Sequence, residues 1–134
     1  MPPYFVDTWF FIALFDRFDS HHRIARRLES TLALGSSVTH DAVFGEFLAF
    51  VAASDENNRA AAARLVREWM RRNFVVTADR ALFLRALDLY ERRLDKAYSL
   101  VDCMSMIVMR DRGITHVLTN DHHFAQEGFT LVNE

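Results

Sequence analysis

Tyr4-Phe5-Val6-Asp7-Thr8-Trp9-Phe10-Phe11-Ile12-Ala13-Leu14-Phe15 changes rhythm at its one carboxylate. Tyr4 to Val6 carries the aromatic and β-branched side chains of a short buried strand. The run stops at Asp7, and Thr8 to Phe15 continues as a very apolar helix. A strand that passes straight into a helix is the building unit of parallel α/β sheets. The unit recurs outward along the chain. Ser36 to Thr39 is a second strand, followed by a helix capped by Asp41 and running through Ala53. Phe74 to Thr77 is a third, followed by a helix from Asp79 to about Leu94. Thr115 to Thr119 is a fourth, followed by a helical turn holding Phe124, and Phe129 to Val132 is a last strand. Between them lie helices over His21 to Leu34 (behind Asp19-Ser20 and ended by Gly35), Asn58 to Arg72, and Ser99 to near Gly113. This alternation predicts one α/β domain over residues 1–134, with helices on both faces of a parallel sheet of four or five strands.

Four acids stand where these strands end or helices begin: Asp7, Glu46, Asp102 and Asp121. The carboxyl ends of parallel strands share one edge, and ligand sites form there. Carboxylates converging on that edge repel one another unless a cation neutralises them, and hard oxygen ligands suit Mg²⁺ or Mn²⁺. Each acid also has a plain structural reading. Asp7 can be a helix cap, and Ser99-Leu100-Val101-Asp102 has the spacing of a capping box. Asn120-Asp121 can be a turn. Glu46 is different, because Phe44, Phe47, Leu48 and Phe50 surround it in sequence. Its setting predicts a buried carboxylate in need of a partner. Ser105 falls one turn beyond Asp102, on the same side of its helix.

The bulk numbers fit a single globular domain: 134 residues, 51% hydrophobic and 25% charged, with 4 Gly and 2 Pro. A net charge of −2 gives no overall attraction for nucleic acid, although arginines cluster at Arg23-Arg26-Arg27 and Arg64-Arg67-Arg71-Arg72. The lone Cys103 excludes an internal disulfide and suits a reducing cytoplasm. Asp7 and Asp16 interrupt the N-terminal apolar run, so neither a signal peptide nor a membrane span is expected. Twelve Phe exceed what so small a core readily hides. The excess predicts an apolar face for a partner or a second copy.

Three stretches carry a more specific pattern: Asp95 through Ser105, Met109-Arg110-Asp111-Arg112-Gly113-Ile114, and Leu118-Thr119-Asn120-Asp121-His122-His123-Phe124. Together with Val6-Asp7-Thr8 and the run from Thr39 to Glu46, they closely resemble the PIN-domain ribonucleases over essentially the whole chain, above all the VapC toxins of type II toxin–antitoxin pairs. The resemblance implies a PIN-like three-layer α/β/α fold. It implies a cytoplasmic magnesium-dependent endoribonuclease that hydrolyses RNA phosphodiesters. Asp7 and Asp102 would bind the metal most directly, Glu46 and Asp121 would hold metal-bound water or a second ion, and Thr8 and Ser105 would be supporting hydroxyls. A cognate antitoxin and a homodimer are implied as partners. The alternatives are a non-toxin PIN-fold nuclease or a catalytically weak RNA-binding module.

Other chemistries fit less well. Adjacent pairs His21-His22 and His122-His123 lack the three- or four-residue spacing of helical zinc ligands. Cys103 reads as a small buried hydrophobe rather than a nucleophile. A haloacid-dehalogenase-like phosphatase needs a second Asp two residues after the first, where this chain has Trp9. A phosphoryl-accepting receiver needs a Lys near a late strand end, whereas Lys96 lies between helices. The Arg64-Arg67-Arg71 row is an ordinary solvated helix face or a contact for RNA backbone.

Overall fold

The structure, a computed structural model, describes residues 3–32 and 35–134. Its strands are β1 (Tyr4–Val6), β2 (Ser37–His40), β3 (Phe74–Val76), β4 (His116–Leu118) and β5 (Thr130–Val132). They form one five-stranded sheet in the order β3-β2-β1-β4-β5, parallel at every pairing. Phe5 lies between Val38 and Val117, and Val6 pairs with Leu118. Because β1 is central, all three of its residues are buried, which is why it reads as an unbroken apolar run. The chain lays β2 and β3 to one side of β1 and then places β4 on the other. The order therefore reverses between β1 and β4, where open α/β sheets form their ligand crevice.

The helices are α1 (Thr8–Phe15), α2 (His22–Thr31), α3 (Asp41–Val51), α4 (Glu56–Arg72), α5 (Arg80–Arg92), α6 (Leu100–Arg112) and α7 (His122–Gln126). Helices α1 to α4 pack among themselves, as do α5 to α7, which gives the three layers. Phe11 centres the first group, with ring centroids 5.1 Å from Phe44, 5.0 Å from Trp69 and 6.0 Å from Phe47. In the second group α6 is buried continuously from Asp102 to Met109. Its methionines, Met104, Met106 and Met109, fill the irregular space around it.

Three local expectations are corrected. Helix α2 was expected to reach Leu34 but ends at Thr31, with Leu32 already extended; Ala33 and Leu34 lie outside the described residues. Asp41 is the first residue of α3 and not its cap: His40 holds the cap position, and Asp41 Oδ2 instead accepts from the Ala78 amide at 3.1 Å. Helix α5 stops at Arg92, short of Leu94. Helix α6 ends where expected, near Gly113, which caps it in the αL conformation with φ of 66°.

The Phe excess divides as its chemistry dictates. Phe5, Phe10, Phe11, Phe44, Phe47 and Phe124 are buried, while Phe18, Phe50, Phe74 and Phe83 are exposed. Arginine guanidinium groups lie over three of the exposed rings, at 4.9 Å for Phe18, 4.2 Å for Phe74 and 5.7 Å for Phe83. Such stacking covers apolar surface with a group that remains hydrated.

Candidate active site

Asp7 leaves β1 at the reversal point and occupies the cap position of α1, yet its side chain makes no capping bond there. Its carboxylate instead accepts from the Thr119 hydroxyl at 2.7 Å, across from the end of β4. The Thr119 Oγ1 also accepts from the Asp121 amide at 3.2 Å, so one side chain joins two of the acids. Asp7 is 6% exposed. Burial drives its pKa upward, the Thr119 hydroxyl opposes this, and the charges of Asp102 and Glu46 push in the same direction as burial, leaving Asp7 at about 7. The fold thus keeps at its switch point an acid that resists ionising without a compensating cation.

Asp102 is held by its own helix. Ser99 Oγ accepts from the Asp102 amide at 3.0 Å, and Asp102 Oδ2 accepts from the Ser99 amide at 2.9 Å, completing the capping box. The structural and functional readings of this residue therefore coexist. Asp121 caps α7 by accepting from the His123 amide at 2.9 Å. The first turn of α7 then returns the His123 ring between the two acids, with Nδ1 at 3.2 Å from both Asp102 Oδ2 and Asp121 Oδ1. One ligand atom from each of Asp102, Asp121 and His123 lies within 4.8 Å of the others. Two carboxylates and an imidazole form a donor set that a divalent cation can occupy; Asp7 and Glu46 fall outside that group, although the Asp102 charge is felt at Asp7.

Glu46 departs from expectation. It is exposed, because Val43, Phe44 and Phe47 take the buried side of α3 and leave Gly45 and Glu46 outward. It nevertheless joins the acid edge through Thr8, whose hydroxyl donates to Glu46 Oε1 at 2.6 Å. Ser105 is fully buried and its Oγ lies 2.9 Å from His40 Nε2, so its hydrogen bond goes to the imidazole and not to an acid. Burial lowers the His40 pKa to about 4, keeping that ring neutral, and its Nδ1 has no partner among the described residues. Cys103 is buried and burial raises its thiol pKa to about 11, which removes it as a nucleophile.

Sequence reasoning missed Thr119 and set His123 near the acidic cleft without a catalytic role. The signal for Thr119 was a hydroxyl at the last position of a strand opposite an acid-ended strand. For His123 it was the placement two residues after a capping Asp, which turns a side chain back over the cap. Thr119→Val keeps the shape and removes the donor to Asp7. It is expected to raise the Asp7 pKa further and to lower stability at pH 8 by about 1 kcal/mol, measured by urea unfolding in chelator.

The PIN-domain sequence profile matches residues 4–129. VapC20 of Mycobacterium tuberculosis, described as a 23S rRNA-specific endonuclease in both strain CDC 1551 / Oshkosh and strain ATCC 25618 / H37Rv, is 33% identical over 129 residues, covering 96% of each chain. The crystal structure of M. tuberculosis VapC20, described as a sarcin-ricin loop cleaving toxin, aligns with a TM-score of 0.84 at 28% sequence identity, over 97% of this chain and 98% of that one.

Proposed function

Because this chain belongs to the PIN-domain family, we propose that it is a magnesium-dependent endoribonuclease, the toxin of a type II toxin–antitoxin pair, acting as one domain over residues 1–134. The observation that carries the reading is the buried, uncompensated Asp7 beside the Asp102–Asp121–His123 group. A bound Mg²⁺ or Mn²⁺ would supply Lewis-acid charge to an RNA phosphodiester attacked in line by water. The chain's own contribution is placement. Asp7 and Asp102 would hold the ion, with Asp121 completing the set and Glu46 serving from the rim. Thr119 fixes the Asp7 carboxylate and Thr8 fixes that of Glu46. Ser105 serves from beneath, as a packing and hydrogen-bonding partner of His40.

The relative's substrate makes structured ribosomal RNA the first target to test. Intact ribosomes, naked 23S rRNA and a mixed RNA pool are each incubated with the protein and Mg²⁺, with and without chelator, and the cut ends are mapped. Chelator-sensitive cleavage at defined sites is the expected result. Cleavage that persists in chelator, or none with any RNA, counts against the reading.

The partners belong to the same proposal: an antitoxin and a second copy of the chain, in the cytoplasm, where the free Cys103 stays reduced. No described helix is long and apolar enough to cross a membrane. A cavity of about 540 Å³, lined by Leu14, Leu65 and Trp69 together with the charged Arg26, Glu68 and Arg72, offers an antitoxin segment a recess of mixed apolar and charged character. For the homodimer the support is on and just beyond α5, where Phe83, Leu84, Tyr90 and Leu94 are exposed at 37%, 50%, 41% and 76%. The double substitution Tyr90→Glu, Leu94→Glu is expected to convert a dimer to a monomer, checked by sedimentation. A wild-type monomer at high concentration, or a double variant that stays dimeric, removes this surface from consideration.

A further inference from the structure

Away from the acids, one carboxylate gathers an unusual set of partners. Glu127 follows α7 directly, and its side chain is only 5% exposed. Its Oε1 accepts from Arg93 Nε at 2.6 Å and from the Tyr98 hydroxyl at 3.2 Å, while Oε2 accepts from Arg110 Nη2. Arg93 sits at the end of α5, Tyr98 precedes α6, and Arg110 lies in the last turns of α6. A single buried anion therefore ties together α5, α6, α7 and the segment between α5 and α6. Two guanidinium donors compensate the cost of burying it.

Tyr98 does more than complete this cluster. It is 4% exposed, and its ring packs on that of His123 with centroids 5.4 Å apart and planes tilted by 55°. The His123 ring is the one set between Asp102 and Asp121. The torsion that turns an imidazole about its Cβ–Cγ bond has a broad, shallow preference, so the rotamer alone does not fix where Nδ1 points. A neighbouring ring pinned at its far end does fix it. Tyr98 is pinned in that way, with its hydroxyl on Glu127 and its ring packed at a tilt against the imidazole.

We propose that Tyr98, anchored by the Glu127–Arg93–Arg110 cluster, is a positioning residue that holds the His123 imidazole between Asp102 and Asp121. The placement rests on the acid edge being the metal-binding catalytic site. Outer partners that orient a metal-binding set change metal affinity or activity by about 10- to 100-fold when removed. A cluster that merely ties helices together changes stability alone.

The test uses Tyr98→Leu, which removes ring and hydroxyl, Tyr98→Phe, which keeps the ring, and His123→Ala alone and combined with Tyr98→Leu. Arg85→Ala is the stability control, because it breaks the exposed Arg85–Asp111 ion pair between α5 and α6, which shares no residue with this chain of contacts. Mn²⁺ binding is counted by electron paramagnetic resonance of the free ion, RNA cleavage is resolved into kcat and KM, and His123 ring shifts are read by NMR. Tyr98→Leu is expected to weaken Mn²⁺ binding and lower kcat by about 10-fold each with KM unchanged, and Tyr98→Phe to do so by less. In the His123→Ala background Tyr98→Leu is expected to add nothing, since both act through one group. Arg85→Ala is expected to lower Tm without moving affinity or kcat. Additive effects in the double variant, or a Tyr98→Leu protein that differs from wild type in Tm alone, overturn the proposal. Should wild type neither bind Mn²⁺ nor cut RNA, the reading of the site has failed, and the NMR comparison still decides the placement: unchanged His123 ring shifts in Tyr98→Leu overturn it.

Discussion

Asp102→Asn is expected to lower RNA cleavage by about 100-fold or more while leaving the fold intact. The reasoning separates two functions of one side chain. As the acid of the α6 capping box, Asp102 accepts from the Ser99 amide, and an Asn carbonyl oxygen can accept the same bond. Stability should therefore fall by at most about 1 kcal/mol. As a candidate metal ligand, Asp102 contributes a full negative charge at the edge of the cleft, which Asn lacks. Removing even an outer partner of a metal site costs about 10- to 100-fold, so removing a direct ligand should cost no less. Cleavage assays over a range of Mg²⁺, paired with thermal unfolding, check both halves. A folded Asp102→Asn protein that cuts RNA at the wild-type rate removes Asp102 from the site.

The second large effect is a reversal of rank with metal and pH. The Asp7 pKa is raised from 3.8 to about 7 in the folded protein. Between those values the native state keeps a proton that the unfolded chain has released, so stability declines as pH rises through that window. Well above pH 7 the full cost is present, on the order of 4 kcal/mol. Asp7→Asn cannot ionise and escapes this decline. In chelator at pH 8 it is expected to be more stable than wild type, and near pH 4 the two should converge. Saturating Mg²⁺ should then stabilise wild type by mass action and leave the variant almost unmoved, reversing the order. Urea unfolding at pH 4 and pH 8, with chelator and with Mg²⁺, supplies the comparison. An Asp7→Asn protein no more stable than wild type at pH 8 in chelator contradicts the buried-charge account.

The legible parts of this molecule were those written in local rhythm. The passage from strand to helix at Asp7 and the Gly113 stop follow from side chains close in sequence, and the sequence reading placed them within a residue or two. So was the capping spacing of Ser99 and Asp102, although sequence could not say that the capping carboxylate also faces His123. What escaped was set by partners far along the chain. Glu46 reads as buried because its neighbours are apolar, yet α3 turns it outward, and only the contact with Thr8 connects it to the cleft. Asp41 has the chemistry of a cap, but β3 ends beside it and the Ala78 amide claims its carboxylate. Thr119 and His123 acquire meaning only when β4 pairs with β1 and α7 folds back over α6. Ser105 falls one turn beyond Asp102, but His40, at the end of β2, takes its hydrogen bond.

The strand order has a consequence for the time at which this chain becomes whole. Asp7 and the hydroxyl that holds it are 112 residues apart, and β4, which must slot beside β1, is the penultimate strand to be synthesised. A nascent chain lacking its last segment has an unpaired β1 edge and neither Asp121 nor His123, so it carries half a cleft. Synthesis proceeds from the N-terminus at about 5–20 residues per second, so β4 and α7 clear the ribosome after β1, α1 and α3. The geometry thus imposes a delay, since a chain that has not yet placed β4 and α7 has no assembled acid cluster.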